Sequence, residues 1–218
     1  DLEKFVREQP ERNRLIWRAI ETGINYFDTG NLDEAESLGL ALKELRRDNV
    51  HLTLMILGLF GKMAEKPPSQ WKDLIADDVD MKLKALNTKY ADILMLLAPE
   101  SNYSCERLTA ALEVFCELKS QGKIGFIGAS THQPRFLAEV MRRYDCFDVV
   151  MVRYNYHLQE PRDEIFPLAK ALEVGIVVMK PFAWPYYGIP FMRFGPVEGE
   201  EGPYTPAQTC IRWILESP

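Results

Sequence analysis

The sequence lacks the closely spaced cysteines that hold zinc ions or iron–sulfur clusters in proteins. Its four cysteines, Cys105, Cys116, Cys146 and Cys210, lie far apart among 218 residues, and no Cys-x-x-Cys pair occurs. We therefore predict no metal site. Cysteines without a pairing pattern are typical of free thiols in a reducing compartment, which predicts a cytoplasmic protein.

Charge and apolar run length exclude two further classes of partner. The chain has 26 basic and 32 acidic residues, its formal net charge is -6, and no Lys/Arg cluster stands out. A surface that binds nucleic acid or an anionic membrane needs such a cluster. No apolar segment reaches the ~18 residues of a membrane helix. We therefore predict neither a nucleic-acid partner nor a membrane partner.

The sequence also lacks a Gly-x-Gly-x-x-Gly motif after any predicted strand, which argues against a Rossmann sheet. Six short apolar runs, typical of buried parallel strands, alternate with amphipathic helical segments. These runs are "GINYFDT", "HLTLMIL", "ADILMLL", "IGFIGAS", "DVVMVRYN" and "GIVVMKPF". This alternation predicts an α/β fold of the (β/α)8 TIM-barrel type.

Six strands are fewer than the eight of a closed barrel. The sequence begins just before one helical segment and ends in another, "TPAQTCIRWILESP". We therefore expect a single barrel domain over residues 1–218 that is incomplete at both ends, with its first and last strands outside the sequence.

Four segments, in this order, resemble the aldo/keto reductase family. "GINYFDTG" is similar to the family's Gly-Ile-Asn-x-Phe-Asp-Thr-Ala signature, and "SQGKIGFIGASTHQP" resembles its Gly-Lys-Ile-Arg-x-Ile-Gly-Val-Ser-Asn stretch. "FDVVMVRYNY" resembles the next strand, and "TPAQTCIRWILESP" a late Pro-Ala-Gln-x-x-Leu-Arg-Trp helix. The resemblance implies a barrel that reduces carbonyl compounds with NAD(P)H.

The resemblance also implies a catalytic set of Tyr, Lys, His and Asp. In the family the tyrosine supplies a proton, the lysine lowers its pKa, the histidine orients the carbonyl, and the aspartate holds the lysine. Only the aspartate is retained, as Asp28; the lysine position falls on Met55 and the histidine position on Leu97. The Tyr-Gly turn expected after Asp28 is missing from "DTGNLDEAES". Asp28 could equally cap or hold a loop at a strand end.

The cofactor contacts implied by the resemblance are incomplete as well. Ser130 and Thr131 stand where the family has a Ser-Asn pair on the nicotinamide amide, and Met151 replaces a glutamine that reads the same group. Lys180, before Pro181, could contact a phosphate, pair with the retained aspartate, or remain a solvated cation. The family's basic stretch for the adenosine phosphate lies beyond the sequence. NADP is the implied cofactor, but the residues present do not support it by themselves.

Two functional hypotheses therefore remain, and the sequence leaves enzymatic activity open. In the first, the protein is a catalytically impaired or non-catalytic barrel, a pseudoenzyme that binds a small apolar ligand or a protein partner in the barrel cup, as a subunit or an oligomer. Met55 and Leu97 favour this hypothesis, since they would make the cup apolar. They should then lie side by side on neighbouring strand ends, with Asp28 at the edge of a pocket.

In the second hypothesis the protein is an NAD(P)H-dependent oxidoreductase acting on a carbonyl substrate, with its proton donor relocated. The candidate donors are His132, His157 and the loop tyrosines Tyr186 and Tyr187. Each of these residues also has a structural explanation, because loop histidines and tyrosines commonly cap helices or pack against the surface.

Overall fold

The structure is a computed structural model, and it describes residues 8–43, 47–97, 104–182 and 204–217. Within these ranges α-helices and β-strands alternate along the chain. The strands are β1 (Tyr26–Thr29), β2 (His51–Met55), β3 (Ala91–Leu97), β4 (Ile124–Thr131), β5 (Val149–Arg153) and β6 (Gly175–Met179). The helices are α1 (Gln9–Glu21), α2 (Leu32–Leu42), α3 (Leu59–Ala64), α4 (Trp71–Ala85), α5 (Cys105–Ser120), α6 (Pro134–Arg143), α7 (Glu160–Ala171) and α8 (Pro206–Leu215).

All six predicted strands are present, and the α/β alternation is confirmed. Helix α3 was not predicted, because its six residues are too few for a clear apolar period. None of the four cysteines, all of which lie in the described ranges, forms a disulfide bond. No helix in the described ranges is both long and apolar enough to cross a membrane.

The chain divides into two compact units, residues 1–128 and residues 129–218, and the boundary falls within β4. The prediction of a single domain over residues 1–218 therefore stays a prediction, and each unit is described by itself.

The first unit contains the parallel strands β1, β2 and β3, paired in chain order. The register places Asp28 of β1 beside Thr53 of β2, and Met55 of β2 beside Met95 of β3. Because the strands are parallel, their carboxyl ends lie at one edge of the sheet, where sites form in this fold class.

Leucines from β2 and β3 form the centre of the first unit's core, together with apolar residues of α4 and α5. Burying each such side chain contributes about 1.5–3 kcal/mol before the cost of ordering it. The fully buried members include Leu52, Leu54, Leu94, Leu96, Ile75, Val79 and Phe115.

Only Gly30 and Asn31 connect β1 to α2. The Asn31 side chain accepts a hydrogen bond from the Glu34 N–H at 2.9 Å, and Glu34 in turn accepts one from the Gly30 N–H at 2.7 Å. This capping box satisfies backbone donors at the start of the helix and stabilises it by about 1 kcal/mol. The chain leaving Asp28 therefore enters the helix at once.

The second unit contains β5 and β6, which are parallel, with Met151 beside Val177. Helix α8 is held to the end of β5 through Tyr154, whose ring stacks on Trp213 with centroids 5.1 Å apart. The Tyr154 hydroxyl donates to the Ser217 hydroxyl at 3.0 Å. The late helix is thus fixed to a strand end by both ring stacking and a hydrogen bond.

A carboxylate fixes the opposite edge of the first unit's sheet. Asp92, at the start of β3, accepts hydrogen bonds from Arg47 at 2.7 Å and from the Leu52 N–H at 2.8 Å. His51 lies 3.3 Å away. Burial alone would raise the pKa of Asp92, but the bonds from Leu52, Arg47 and His51 and the charge of Arg47 lower it.

This network predicts a pH dependence of stability. The folded pKa of Asp92 is lowered, so its stabilisation is present above the unfolded value, about 3.9, and is lost as pH falls through the folded pKa. We expect Asp92→Asn to be less stable than wild type at pH 7, with the difference shrinking at acidic pH below about 4. Urea denaturation at a series of pH values measures this. Asp77→Asn, an exposed position on α4, is the control; an equal loss there would contradict the role of the network.

Gly39 permits a close contact between α2 and the end of α4. A Cβ at this position would lie 2.2 Å from the Ala85 carbonyl oxygen and 2.8 Å from the Leu86 Cα. Both are backbone atoms, so the helices would have to move apart. We expect Gly39→Ala to lower the free energy of unfolding by about 1–3 kcal/mol, although alanine favours helix.

Gly61 in α3 is the matched control, because a Cβ there would meet no atom within 4 Å. Gly61→Ala should raise the free energy of unfolding by up to about 1 kcal/mol through helix propensity alone. Urea midpoints of the two variants should shift in opposite directions. A stabilising Gly39→Ala would show that α2 and α4 are not in this contact.

Candidate functional site

The first unit carries the retained aspartate and the two apolar replacements on successive strands. Asp28 lies in β1, and Met55 and Leu97 are the last residues of β2 and β3. Met55 pairs with Met95, and side chains alternate along a strand, so Met55 and Leu97 belong to the same face of neighbouring strands. This placement agrees with the expected apolar strand ends; the pocket expected there stays a prediction.

Asp28 has an electrostatic environment that favours protonation. Partial desolvation raises the pKa of Asp28, a backbone hydrogen bond lowers it, and repulsion from Glu34 raises it. No Lys or Arg among the described residues of this unit forms an ion pair with Asp28. The residue is exposed, so solvent screens much of this effect. Asp28 thus lacks the lysine that its role in the family requires.

Tyr26, two residues before Asp28 on the same face of β1, was not singled out by the sequence analysis. Its hydroxyl oxygen accepts a hydrogen bond from the Thr53 hydroxyl at 2.9 Å. Burial raises the pKa of Tyr26, the bond from Thr53 lowers it, and the nearby Asp28 charge raises it. The phenol is therefore neutral near pH 7. The period of two along a strand could have revealed it.

Lys82 of α4 was also missed, and it contacts the position that lost its lysine. Its buried ammonium donates to the Met55 carbonyl oxygen at 2.6 Å and to Asp78 at 2.6 Å. A buried ammonium requires such partners. The spacing of four residues between Asp78 and Lys82, one helical turn, was the available signal. Lys82 therefore fixes the carboxyl end of β2 from outside the strand.

The second unit carries the predicted cofactor residues. Ser130 and Thr131 end β4 and are buried, with exposed fractions of 1% and 2%. Met151 is buried within β5, and Lys180 and Pro181 directly follow β6. Parallel pairing of β5 with β6 places Lys180 at the carboxyl edge of the sheet.

Lys180 contacts His132, the residue that follows β4. The Lys180 Nζ lies 3.0 Å from the His132 Nε2. With Lys180 as an ammonium, which can only donate, the acceptor in this contact is Nε2 of His132. This partner of Lys180 was not foreseen from the sequence; pairing with Asp28 or with a phosphate stays a prediction.

Two further side chains hold the Lys180–His132 pair in place. Arg153 donates to the His132 carbonyl oxygen, and Asn155 donates to the Lys180 carbonyl oxygen at 3.0 Å. Lys180 has a φ of 57°, a left-handed conformation that costs a non-glycine residue about 1–2 kcal/mol. Such strain persists where surrounding contacts enforce it, and it often marks functional sites.

The other candidate donors are placed differently. His157 is exposed, and its backbone N–H donates to Asn155 at 3.0 Å. Tyr186 and Tyr187 lie outside the described residues. Among the described residues, no group of three or more His, Cys, Asp or Glu side chains could hold a metal ion.

The residues of the second unit fit the implied nicotinamide in part. Thr131 accepts a hydrogen bond from the Gln133 N–H at 3.2 Å, which leaves its own hydroxyl proton free to donate. Ser130 is a buried hydroxyl beside it, of the kind that could bind an amide. Met151 has only a thioether and cannot replace the amide of glutamine.

Comparison with known proteins gives one family. The model of the Aldo/keto reductase family matches residues 6–186. An uncharacterized oxidoreductase of Bacillus subtilis, YqkF, is 25% identical over 192 residues, which are 79% of this chain and 57% of that protein. The NADH-specific methylglyoxal reductase of Escherichia coli is 29% identical over 178 residues, 75% of this chain and 53% of that protein. The chain thus spans about half the length of these relatives.

Solved structures agree on the fold. The holo form of aldo-keto reductase AKR11C1 from Bacillus halodurans has a TM-score of 0.67 and 27% identity, covering 92% of this chain and 65% of that one. An aldo/keto reductase from Klebsiella pneumoniae, in complex with NADP and acetate, has a TM-score of 0.64 and 20% identity, covering 80% and 59%. The predicted (β/α)8-type fold is confirmed, and the described residues contain six strands of the eight that a closed barrel has. Since the family model covers most of the sequence, the chain belongs to the aldo/keto reductase family.

Proposed function

We propose that the protein is an NAD(P)H-dependent oxidoreductase that reduces a carbonyl compound, with the Lys180–His132 pair as its proton donor. The observation that carries this proposal is the 3.0 Å contact between Lys180 and His132. His132 directly follows Ser130 and Thr131, the positions that the family uses for the nicotinamide amide. The names of relatives, an oxidoreductase and a methylglyoxal reductase, support the same reaction class.

The chemistry requires a hydride and a proton. NAD(P)H, when bound, supplies the hydride to the carbonyl carbon. The Lys180 ammonium donates a hydrogen bond to the carbonyl oxygen and then transfers a proton from Nζ as the alkoxide forms. His132 holds the ammonium through Nε2, and Ser130 would hold the nicotinamide amide by donating a hydrogen bond to it. General acids of this kind contribute about 100- to 10,000-fold to rate.

A second candidate function is a non-catalytic subunit that binds a small apolar ligand or a protein partner. Met55 and Leu97 favour it, because they remove the polar groups from two strand ends. Lys82 does not restore them, since its ammonium is bound to the Met55 carbonyl oxygen and to Asp78. Under this alternative the cytoplasmic chain acts through a partner or as an oligomer.

Cofactor binding and turnover test the first proposal. NADPH and NADH should quench tryptophan fluorescence at micromolar concentrations, and an aromatic aldehyde should be reduced. We expect Lys180→Met to lower kcat by about 100-fold, through loss of the general acid, with nucleotide affinity unchanged. Lys170→Met on α7 is the matched control and should retain full activity.

Three outcomes would contradict this assignment. If neither nucleotide quenches tryptophan fluorescence at concentrations up to millimolar, the oxidoreductase proposal is wrong and only the second candidate, the non-catalytic binding subunit, remains. Loss of activity in Tyr26→Phe, with Lys180→Met still active, would make the phenol the donor. Equal losses in Lys180→Met and Lys170→Met would show a general effect of charge.

Restoring the family residues at two positions tests the second candidate. Leu97→His with Met55→Lys places an ammonium beside Met95, where burial disfavours its charged form. We expect a loss of about 1–3 kcal/mol in stability, partly offset by Asp28, and weaker binding of an apolar ligand. Under this second candidate the wild type has no reductase activity, and the double change should create none, since the family's tyrosine is absent. Leu97→Met with Met55→Leu is the volume-matched control, expected to cost less than about 1.5 kcal/mol. Aldehyde-dependent activity in the restored variant would contradict the expectation.

A further inference from the structure

A cavity of about 180 Å³ opens in the first unit between the turn that precedes α2 and the side of α4. Neither candidate function uses it. Its walls are of two kinds. Three of its lining side chains are charged and form what we call the charged wall, and three are apolar and form the apolar wall. They are Lys62, Asp78 and Lys82, and Leu32, Leu57 and Met81.

The charged wall has an excess of positive charge. Asp78 accepts from Lys82 at 2.6 Å through one carboxylate oxygen and from Lys62 at 3.2 Å through the other. The two ammonium groups of Lys62 and Lys82 and the one carboxylate of Asp78 together carry a net charge of +1. Each ammonium has three donors, and the half-exposed Lys62 ammonium uses one of them, on Asp78. The wall therefore offers both positive charge and a further donor to an anion.

The apolar wall is unusually open to solvent. Leu32, Leu57 and Met81 have exposed fractions of 39%, 41% and 54%. Single exposed apolar residues are common, but here three surround one cavity. Covering them would release water from apolar surface, which is favourable.

We propose that this cavity binds a small organic monoanion, a carboxylate with a short alkyl chain. The carboxylate lies against Lys62 and Lys82, and the alkyl chain lies against Leu57 and Met81. Pockets for drug-sized ligands measure about 300–1,000 Å³, so a cavity of about 180 Å³ fits a smaller molecule. Inorganic phosphate would interact favourably only with the charged wall, and a neutral amide with an alkyl chain only with the apolar wall.

Titration of butyrate, butyramide and inorganic phosphate into the ¹⁵N-labelled full chain, without nucleotide, tests the proposal. Butyrate should shift the backbone amide signals of Gly30, Leu57 and Lys62 in a saturable manner, with a Kd of about 1 mM or below. Butyramide and phosphate should bind at least about tenfold more weakly, because each lacks one of the two interactions. Equal binding of phosphate and butyrate, or of butyramide and butyrate, would overturn the proposal, as would no saturable shift.

Lys62→Met removes one ammonium at an exposed position, so the fold should be retained. It should weaken butyrate binding by about tenfold. Lys72→Met is the matched control, because it also removes one positive charge, but from α4, where Lys72 pairs with Glu117 at 2.6 Å. This variant should bind butyrate as the wild type does. If both variants bind butyrate equally weakly, the loss is explained by the protein's overall charge, and the proposed site is wrong. NADPH binding should be unaffected in both, so failure here is separate from failure of the proposed oxidoreductase function.

Discussion

Parallel pairing of the strands is the constraint on which the candidate sites depend. A parallel ladder fixes the register of every residue, and a shift of one residue would turn each side chain to the other face. In the first unit this register brings Asp28 beside Thr53 and Met55 beside Met95. The chemistry at the strand ends therefore depends on which residue types occupy a few fixed positions.

Side chains bonded to backbone oxygens then hold the strand ends in place. Lys82 donates to the Met55 carbonyl, Arg153 to the His132 carbonyl, and Asn155 to the Lys180 carbonyl. Carbonyl groups at a strand end have no partner in the ladder, and leaving them buried and unbonded is costly. The bonds from Arg153 and Asn155 also position His132 and Lys180.

The sequence was informative wherever a pattern is local and periodic. All six strands followed from their apolar runs, and the family followed from four short motifs. The contact of Lys82 with the Met55 carbonyl and that of Lys180 with His132 could not be predicted in this way, because a lysine side chain is long and its partner depends on how elements pack. Tyr26 precedes Asp28, whereas the family's order places its phenol after that aspartate, so the family pattern gave no signal for Tyr26.

The two lysines differ in a way that bears on catalysis. Lys82 donates to the Asp78 carboxylate at 2.6 Å and to the Met55 carbonyl oxygen at 2.6 Å, and both bonds direct its ammonium away from a substrate at the strand ends. Lys180 lies 3.0 Å from His132 Nε2, at the carboxyl edge of the sheet where the family's nicotinamide positions also lie. A proton donor must be held firmly and yet release its proton as charge develops on the substrate. For this reason the proposed reaction assigns the proton to Lys180 and not to Lys82, whose ammonium is held by Asp78 and by the Met55 carbonyl oxygen.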